Sequence, residues 1–402
     1  MSGQYSATTT NWLSDASLEA RKKLGQYMTP QALREQLLNQ VELFPGIRVL
    51  DPSCGTGEFL RSILDRQPDA IVTGWDVDEN ILKFAANLIP EADLIHRDSL
   101  CPYAGEPFDL IIGNPPYFQF KPASEIRHHF SQVISGRPNI FALFFQVAFE
   151  CIKPAGEIAY VVPPSMNNGA YFSGLREYIQ GMSAIKYLSV IEDAHKFEDA
   201  QTAVQLLVLK VGEKSNNFVF KREDRHANFR RIIFSTMANQ LTELFASRKS
   251  LHQLGYEAIT GQVVWNQRQS DLLVAESSES VPLIWAHNLV NGEVILKHDN
   301  PKKPQYIREP VALVGPAIVV NRIVGSVGSG SLRAGLVNSG IRFVGENHVN
   351  VIRKRIDDPK VSYSELLQLL LSTETAHRIK LVTGNTQVSA TELNHLTPFD
   401  FE

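Results

Sequence analysis

The sequence holds only three cysteines in 402 residues, Cys54, Cys101 and Cys151, none within two or three positions of another. That spacing offers neither a disulfide framework nor a zinc ligand set, and no metal is needed to explain the chain. Long apolar runs are lacking as well. The longest, Val311 to Val320, is about half of a membrane span, and the polar start from Met1 to Asp15 has no basic residues or apolar stretch of the signal-peptide kind. No membrane partner and a cytoplasmic location are therefore expected. There is no internal repeat and no low-complexity segment.

An excess of positive charge is also missing, since the net charge is -4, which speaks against a polyanionic partner until the chain is divided. Residues 1 to 210 carry 17 Lys+Arg against 24 Asp+Glu, and residues 211 to 402 carry 22 against 19. The acidic part is N-terminal and the basic part C-terminal, as suits a small-molecule site joined to a polyanion-binding module, although a drift of this size also arises by chance.

What is present describes an ordinary globular protein, with 44% hydrophobic and 20% charged residues and length enough for two cores. From Ile47 to Lys210, apolar runs of strand length (Arg48 to Asp51, Ile71 to Asp76, Asp93 to Asp98, Phe108 to Gly113, Glu157 to Val162) alternate with helix-length amphipathic segments (Phe59 to Asp65, Asp78 to Leu88, Asn139 to Ile152). This βαβ rhythm predicts a mostly parallel sheet. Ala184 to Ile191 and Thr202 to Val211 read as its last two strands, and Lys153-Pro154-Ala155-Gly156 as a helix stop. After Gly212 the pattern changes. Ser235 to Lys249 reads as a connecting helix, followed by short β-like runs (Val281 to Trp285, Ile318 to Arg322, Val349 to Ile352) and two helical stretches near the end. A first domain over 1–233 and an irregular α+β domain over 234–402 are expected.

Open α/β sheets bind ligands at the carboxyl ends of their strands. Here the first strand ends at Asp51 and runs into Pro52-Ser53-Cys54-Gly55-Thr56-Gly57, the second ends at Asp76, the third at Asp98 and the fourth at Asn114-Pro115-Pro116-Tyr117. Gly55 and Gly57 let backbone approach a ligand, and Asp76 is placed to accept hydrogen bonds from ribose hydroxyls. A dinucleotide reading fails at the third glycine, where Leu60 stands. Asn-Pro-Pro-Tyr has two readings: a rigid strand-ending turn, or a site in which Asn114 and the Pro115 carbonyl both accept hydrogen bonds from one planar amine. The three aspartates preceding it in order favour the second. Asp78 falls where a helix N-cap belongs and is assigned to capping. His128 and His129, tempting as a ligand pair, are expected to face solvent.

With these motifs in this order the sequence resembles the amino-group DNA methyltransferases, in particular the TaqI-like adenine-N6 group, whose gamma-type order runs cofactor, catalysis, target recognition. Gly25 to Pro30 is similar to that family's leading cofactor motif, Val49 to Leu60 to its glycine motif and Asn114 to Tyr117 to its catalytic motif. His195-Lys196-Phe197 matches the place of an aromatic that packs on the target base, and Leu381 to Gln387 with Thr391 to Leu393 resembles, more vaguely, the end of the specificity domain. The resemblance implies a Rossmann-like class I methyltransferase domain with a seven-stranded, mostly parallel sheet, followed by an α+β target recognition domain. It implies S-adenosylmethionine as cofactor, with Thr29 and Pro30 beside its methionine part, Asp51 at its amino group, Asp76 at its ribose and Asp98 at its adenine amine; Tyr27, Ser53, Cys54, Gly55, Gly57, Val77, Ser99 and Asn114 complete the cofactor set.

The substrate so implied is an adenine flipped out of double-stranded DNA, with Asn114, Pro115, Pro116 and Tyr117 as catalytic residues and Tyr117 and Phe197 as stacking partners. Phe197 also fits a core position at a strand end. Arg322 and Arg333 flank Gly325 to Gly330, a stretch whose backbone could lie close to phosphates, and Arg353-Lys354-Arg355 is a compact basic run that a solvated face explains at least as well; neither is assigned to base readout. No nuclease constellation is found, so any restriction activity would belong to a separate endonuclease, and a monomer is expected. N4-cytosine, RNA or protein amines, and a catalytically silent DNA-binding subunit are the alternatives.

Overall fold

The computed structural model describes residues 4–19, 21, 25–136, 138–191, 203–296, 303–309, 311–322, 332–383 and 388–400. The chain divides into two compact units, one of residues 1–220 with 232–238 and one of 221–231 with 239–402, where the sequence pattern places a boundary at 233/234.

The first unit is built on seven strands: β1 (Arg48–Asp51), β2 (Ile71–Asp76), β3 (Asp93–His96), β4 (Phe108–Gly113), β5 (Ile152–Val162), β6 (Ser183–Ile191) and β7 (Val204–Val211). Their spatial order is β3-β2-β1-β4-β5-β7-β6. All pairs from β3 to β5 are parallel, and β7 runs antiparallel to both of its neighbours. This is the seven-stranded, mostly parallel, Rossmann-like sheet expected from the sequence. The chain winds outward from β1 to β3 and then returns to β4 beside β1, which leaves a crevice at their carboxyl ends.

Helices cover both faces of the sheet, so its central strands read as continuous apolar runs. On one face pack Phe141, Phe145, Leu175 and Ile179; on the other pack Leu33, Leu37, Leu60 and Ile63. The helix Phe141–Cys151 is apolar nearly all round because nearly all of it is buried. The helix Glu58–Arg66 is amphipathic, with Phe59, Leu60, Ile63 and Leu64 inside and an Arg61–Asp65 ion pair of 2.8 Å outside. It starts at Gly57, whose φ is +87° and whose added Cβ would stand 2.7 Å from Ile89 Cδ1, so only glycine makes this turn without strain.

The expected helix stop at Lys153 to Gly156 is instead the first part of β5, which begins at Ile152 directly after the helix. Phe108 pairs with Ile152 and Leu110 with Glu157, so the extra residues loop out as an irregularity that accommodates Pro154 within a paired strand.

A hairpin of β8 (Val219–Asp224) and β9 (Phe229–Phe234) carries the chain from the first unit into the second and back before the helix Ala238–Ser247 leaves again. Within the first unit, the fully buried Arg176 donates to the carbonyls of Ile232, Met166 and Gly169 at 2.6, 2.7 and 2.9 Å and so fastens the returning strand.

The second unit is α+β. Its larger sheet has six strands in the order Tyr256–Thr260, Val349–Lys354, Ala317–Asn321, Ala334–Val337, Gly292–Val294, Leu289–Val290; a five-stranded sheet is assembled from Leu272–Leu273, Tyr306–Arg308, Ser280–Ile284, Arg342–Gly345 and Leu313–Val314. Toward the end come Tyr363–Leu371, Thr373–Thr383 and Ala390–Leu396, one helix more than expected. The third is only seven residues long, held by a capping box in which Ser389 accepts from Glu392 N and Glu392 accepts from Ser389 N. Among the described residues no helix is long and apolar enough to cross a membrane.

Candidate functional site

A cavity of about 240 Å³ opens at the carboxyl ends of β1, β2 and β4, entirely within the first unit. Its wall gathers residues that are scattered in sequence. The segment Gly25 to Thr29 forms one side, Asp51 to Gly55 the floor, Asp76, Val77, Asp98 and Ser99 another side, and Asn114 and Pro116 a corner. Of the residues singled out for a cofactor or for chemistry, Tyr27, Thr29, Asp51, Ser53, Cys54, Gly55, Asp76, Val77, Asp98, Ser99, Asn114 and Pro116 line it. Pro30, Gly57, Pro115 and Tyr117 do not. Pro30 is the N-cap of the helix Gln31–Leu38 and Gly57 that of Glu58–Arg66, so both stand one step behind the wall. Phe197, with its neighbours His195 and Lys196, lies outside the described residues, as do Gly325 to Gly330.

The loop after β1 is shaped by the carboxylates it surrounds. Asp51 is 1% exposed and accepts from Ser53 N at 3.0 Å; Asp76 accepts from Gly55 N and Asp78 N, each at 2.9 Å. The Asp51 side chain lies against the end of β4, where a Cβ on Gly113 would stand 2.6 Å from Asp51 Oδ1, so that strand end tolerates no side chain. Burial pushes the Asp51 carboxyl up to about 8, an effect that the Ser53 N–H opposes and the nearby Asp76 reinforces. Asp76 is raised in the same direction, again chiefly by burial. Among the described residues Asp51 has no ion-pair partner. A buried pair of carboxyl groups with that deficit is suited to a ligand carrying positive charge.

Other polar groups on the wall point the same way. Thr29 Oγ1 and Ser53 Oγ are buried and have no hydrogen-bond partner among the described residues, and such groups are costly unless something pairs with them. Cys54 is held as a thiol, its pKa driven well above the ordinary value by burial and by Asp51 and Asp76. It is no nucleophile in this setting.

Asn114 follows β4 and is fixed from two sides. Its Nδ2 donates to Tyr27 O at 2.8 Å, and its Oδ1 accepts from the Tyr117 hydroxyl. Tyr117 also reaches Val161 O at 2.6 Å, and its ring meets Phe141 edge-on with centroids 6.1 Å apart. Burial lifts the pKa of its hydroxyl well above the ordinary value, so it stays protonated. The expected stacking role for Tyr117 therefore meets a hydroxyl committed inward, to the asparagine and to the neighbouring strand.

Several interactions that shape the site have no signal in the sequence. Arg34 and Glu58 form a buried ion pair at 2.7 Å; Arg34 also donates to Thr29 O at 2.6 Å and to Ser62 Oγ at 3.1 Å, and Glu58 accepts from Ser6 N at 2.8 Å. This network fastens the Gly25–Thr29 wall to the helix after the glycine motif. Met28, Phe59, Arg97, Phe118, Ile140 and Phe144 also line the cavity. Arg97 is the one guanidinium on the wall among the described residues, placed 4.2 Å over the Trp75 ring and donating to Cys101 O at 2.6 Å. Asp78 caps the helix Glu79–Leu88 by accepting from Asn80 N at 2.9 Å, as expected. His128 and His129 are exposed, on a short helix rather than in a loop.

In the second unit Arg322 donates to Asn347 O at 2.9 Å, whereas Arg333, Arg353, Lys354 and Arg355 are exposed.

Comparison with known proteins finds its relatives among modification methylases and type II methyltransferases. The family described as "Eco57I restriction-modification methylase" matches residues 59–198. The chain is 28% identical over 224 residues to modification methylase CviBIII of Paramecium bursaria Chlorella virus NC1A, covering 54% of this chain and 58% of that one. It is 27% identical over 206 residues to type II methyltransferase M.AccI of Acinetobacter calcoaceticus (48% and 38%) and 24% over 305 residues to type II methyltransferase M.CvrRI of Paramecium bursaria Chlorella virus XZ-6E (73% and 77%). Over the first two, the chain spans about half of the relative's length.

Proposed function

We propose that this chain transfers a methyl group from S-adenosylmethionine to N6 of an adenine flipped out of double-stranded DNA, as the modification component of a restriction-modification system. The observation that carries the reading is the fixed Asn114 amide at the corner of an acidic cavity. With Nδ2 tied to the Tyr27 carbonyl and one lone pair of Oδ1 taken by the Tyr117 hydroxyl, the second lone pair of Oδ1 is left to face a substrate.

The wall fits the cofactor chemically. Asp51 would hold the ammonium, Asp76 the ribose hydroxyls and Asp98 the adenine amine, with Val77 against the base and the hydroxyls of Thr29 and Ser53 finding partners. When bound, S-adenosylmethionine supplies a methyl group made electrophilic by a sulfonium.

The chain's own contribution is positioning and charge stabilisation. An adenine amine is a weak nucleophile because its lone pair is delocalised into the ring. Asn114 Oδ1 and the Pro115 carbonyl, accepting its two N–H bonds, favour a pyramidal nitrogen with the lone pair directed outward. The Tyr117 hydroxyl has one proton and two acceptors, Asn114 Oδ1 and Val161 O. Oδ1 accepts from that hydroxyl with one lone pair and keeps the other for the amine. As the nitrogen–methyl bond forms, the methyl–sulfur bond breaks to leave a neutral thioether, the methylated nitrogen sheds one proton to solvent, and no cysteine nucleophile takes part.

The relatives' names support a DNA substrate, and the net-basic second unit suits target recognition by residues 234–402, while Phe197 supports adenine through the sequence resemblance alone. Nucleoside mass spectrometry after incubating the purified chain with unmethylated DNA and S-adenosylmethionine tests the reading. N6-methyladenine that disappears with Asn114→Ala is expected. N4-methylcytosine would overturn the base, and transfer to RNA or protein alone, or cofactor binding without turnover, would overturn the proposal.

A further inference from the structure

In the second unit three side chains distant in sequence converge: Asp224 at the end of β8, His252 just after the helix Ala238–Ser247, and His395 in the helix Ala390–Leu396. One ligand atom from each lies within 4.8 Å of the others. Asp224 Oδ2 stands 3.8 Å from His252 Nδ1 and 3.9 Å from His395 Nδ1, with side-chain exposures of 5%, 16% and 12%. These separations are too long for hydrogen bonds. His395 Nδ1 is buried and has no hydrogen-bond partner among the described residues, although it points at a carboxylate. We infer that Asp224, His252 and His395 form a binding site for a divalent transition metal, zinc by its ligand chemistry, with a water as fourth ligand.

Two imidazoles and one carboxylate form a ligand set that zinc accepts, at roughly 2.0–2.2 Å per bond, which places neighbouring ligand atoms roughly 3.3–3.5 Å apart in a tetrahedron. Closing each of the two gaps to Asp224 takes a contraction of about half an ångström. The surroundings hold the ligands in place. Asp224 Oδ1 accepts from Ala227 N at 3.3 Å, the His395 ring is stacked on Phe229 with centroids 4.2 Å apart, and the His395 carbonyl accepts from Arg222 Nε at 3.4 Å. A metal takes neutral imidazole, the form that burial favours in both rings. Two ring nitrogens with one carboxylate oxygen suit a transition ion better than a hard cation that takes oxygen ligands alone. Such an ion would staple the hairpin that interrupts the first unit to the C-terminal helix, within the second unit.

The test uses the tag-free full-length protein, stripped with a chelator and titrated with Co²⁺ and then Zn²⁺. One equivalent of cobalt with the intense visible bands of a four-coordinate ion, displaced stoichiometrically by zinc, is the expected result, along with a higher melting temperature on adding zinc. His252→Gln, at the most exposed of the three positions, and Asp224→Asn should each weaken binding at least tenfold and erase the zinc-dependent melting shift while their metal-free melting stays close to that of the parent. Absence of a stoichiometric cobalt spectrum, or binding of equal strength in both variants, would overturn the site.

Discussion

The two units carry their chemistry in opposite ways. In the first, the acidic and amide groups of the cavity wall sit at places dictated by a neighbouring strand: Asp51 at the end of β1, Asp76 at the end of β2, Asn114 just past β4. A parallel sheet brings strand ends together whatever the loops contain. In the second, the groups that converge are set by long-range packing, as Asp224, His252 and His395 are, and the exposed cations lie along strand ends and loops with no topological rule to collect them. Chemistry placed by topology is readable and tolerant of loop change; chemistry placed by packing is neither.

That contrast can be broken by substitutions confined to one unit. The largest effect is expected at Asn114, since removing a group that acts on the developing charge costs on the order of 10²–10³ in rate. Asn114→Ala should lower kcat by that factor while calorimetric affinity for S-adenosylmethionine stays within about twofold. Equal losses of binding and turnover would move Asn114 from the substrate to the cofactor. Asp76→Ala should act on binding, weakening it by about 1.5–3 kcal/mol for the missing charged acceptor, and DNA affinity measured without cofactor should not change.

A pH series probes Asp51 next. Because burial raises its carboxyl to about 8, the free protein holds it protonated at neutral pH, and a cationic ligand requires the ionised form. Affinity should therefore fall as pH drops from 7.5 to 6, by roughly 15-fold, because the α-ammonium, with an ordinary pKa of about 7.7–8.0, gains little charge over the same range. Calorimetry should show proton release on binding, and Asp51→Asn should flatten the profile. A flat profile in the parent protein would separate Asp51 from the cofactor's amino group. The smallest effect belongs to the second unit. Replacing Arg353 and Lys354 by Gln should weaken DNA binding a few-fold and reduce the salt slope by about 1 for each phosphate that is no longer neutralised, with cofactor affinity untouched. An unchanged slope would assign the basic run to a solvated face.

The same contrast explains how much is legible in the sequence. The seven-stranded sheet, the aspartates at its strand ends and the Asp78 cap follow from periodicity and local hydrogen bonding, which act over a few residues. The Arg34–Glu58 pair, the inward commitment of Tyr117 to Val161 and the triple carbonyl grip of Arg176 join positions 24, 44 and up to 56 residues apart, and nothing in the local pattern marks either partner. The start of β5 escapes sequence reading for a different reason. Pro154 and Gly156 are breakers in an isolated segment, but pairing with β4 at Ile152 and again from Glu157 onward holds the strand on both sides of them. The third C-terminal helix is short enough that its capping box, rather than its periodicity, defines it.

The interrupted path of the chain has a consequence for heredity. Residues 221–231 belong to the second unit and residues 232–238 to the first, so no single crossover between two related genes exchanges one unit whole. Recombination after residue 238 would leave Asp224 with its old gene while His252 and His395 arrived from another. A lineage that acquires a new second unit must therefore exchange two separate segments, or inherit a hairpin fitted to a different partner.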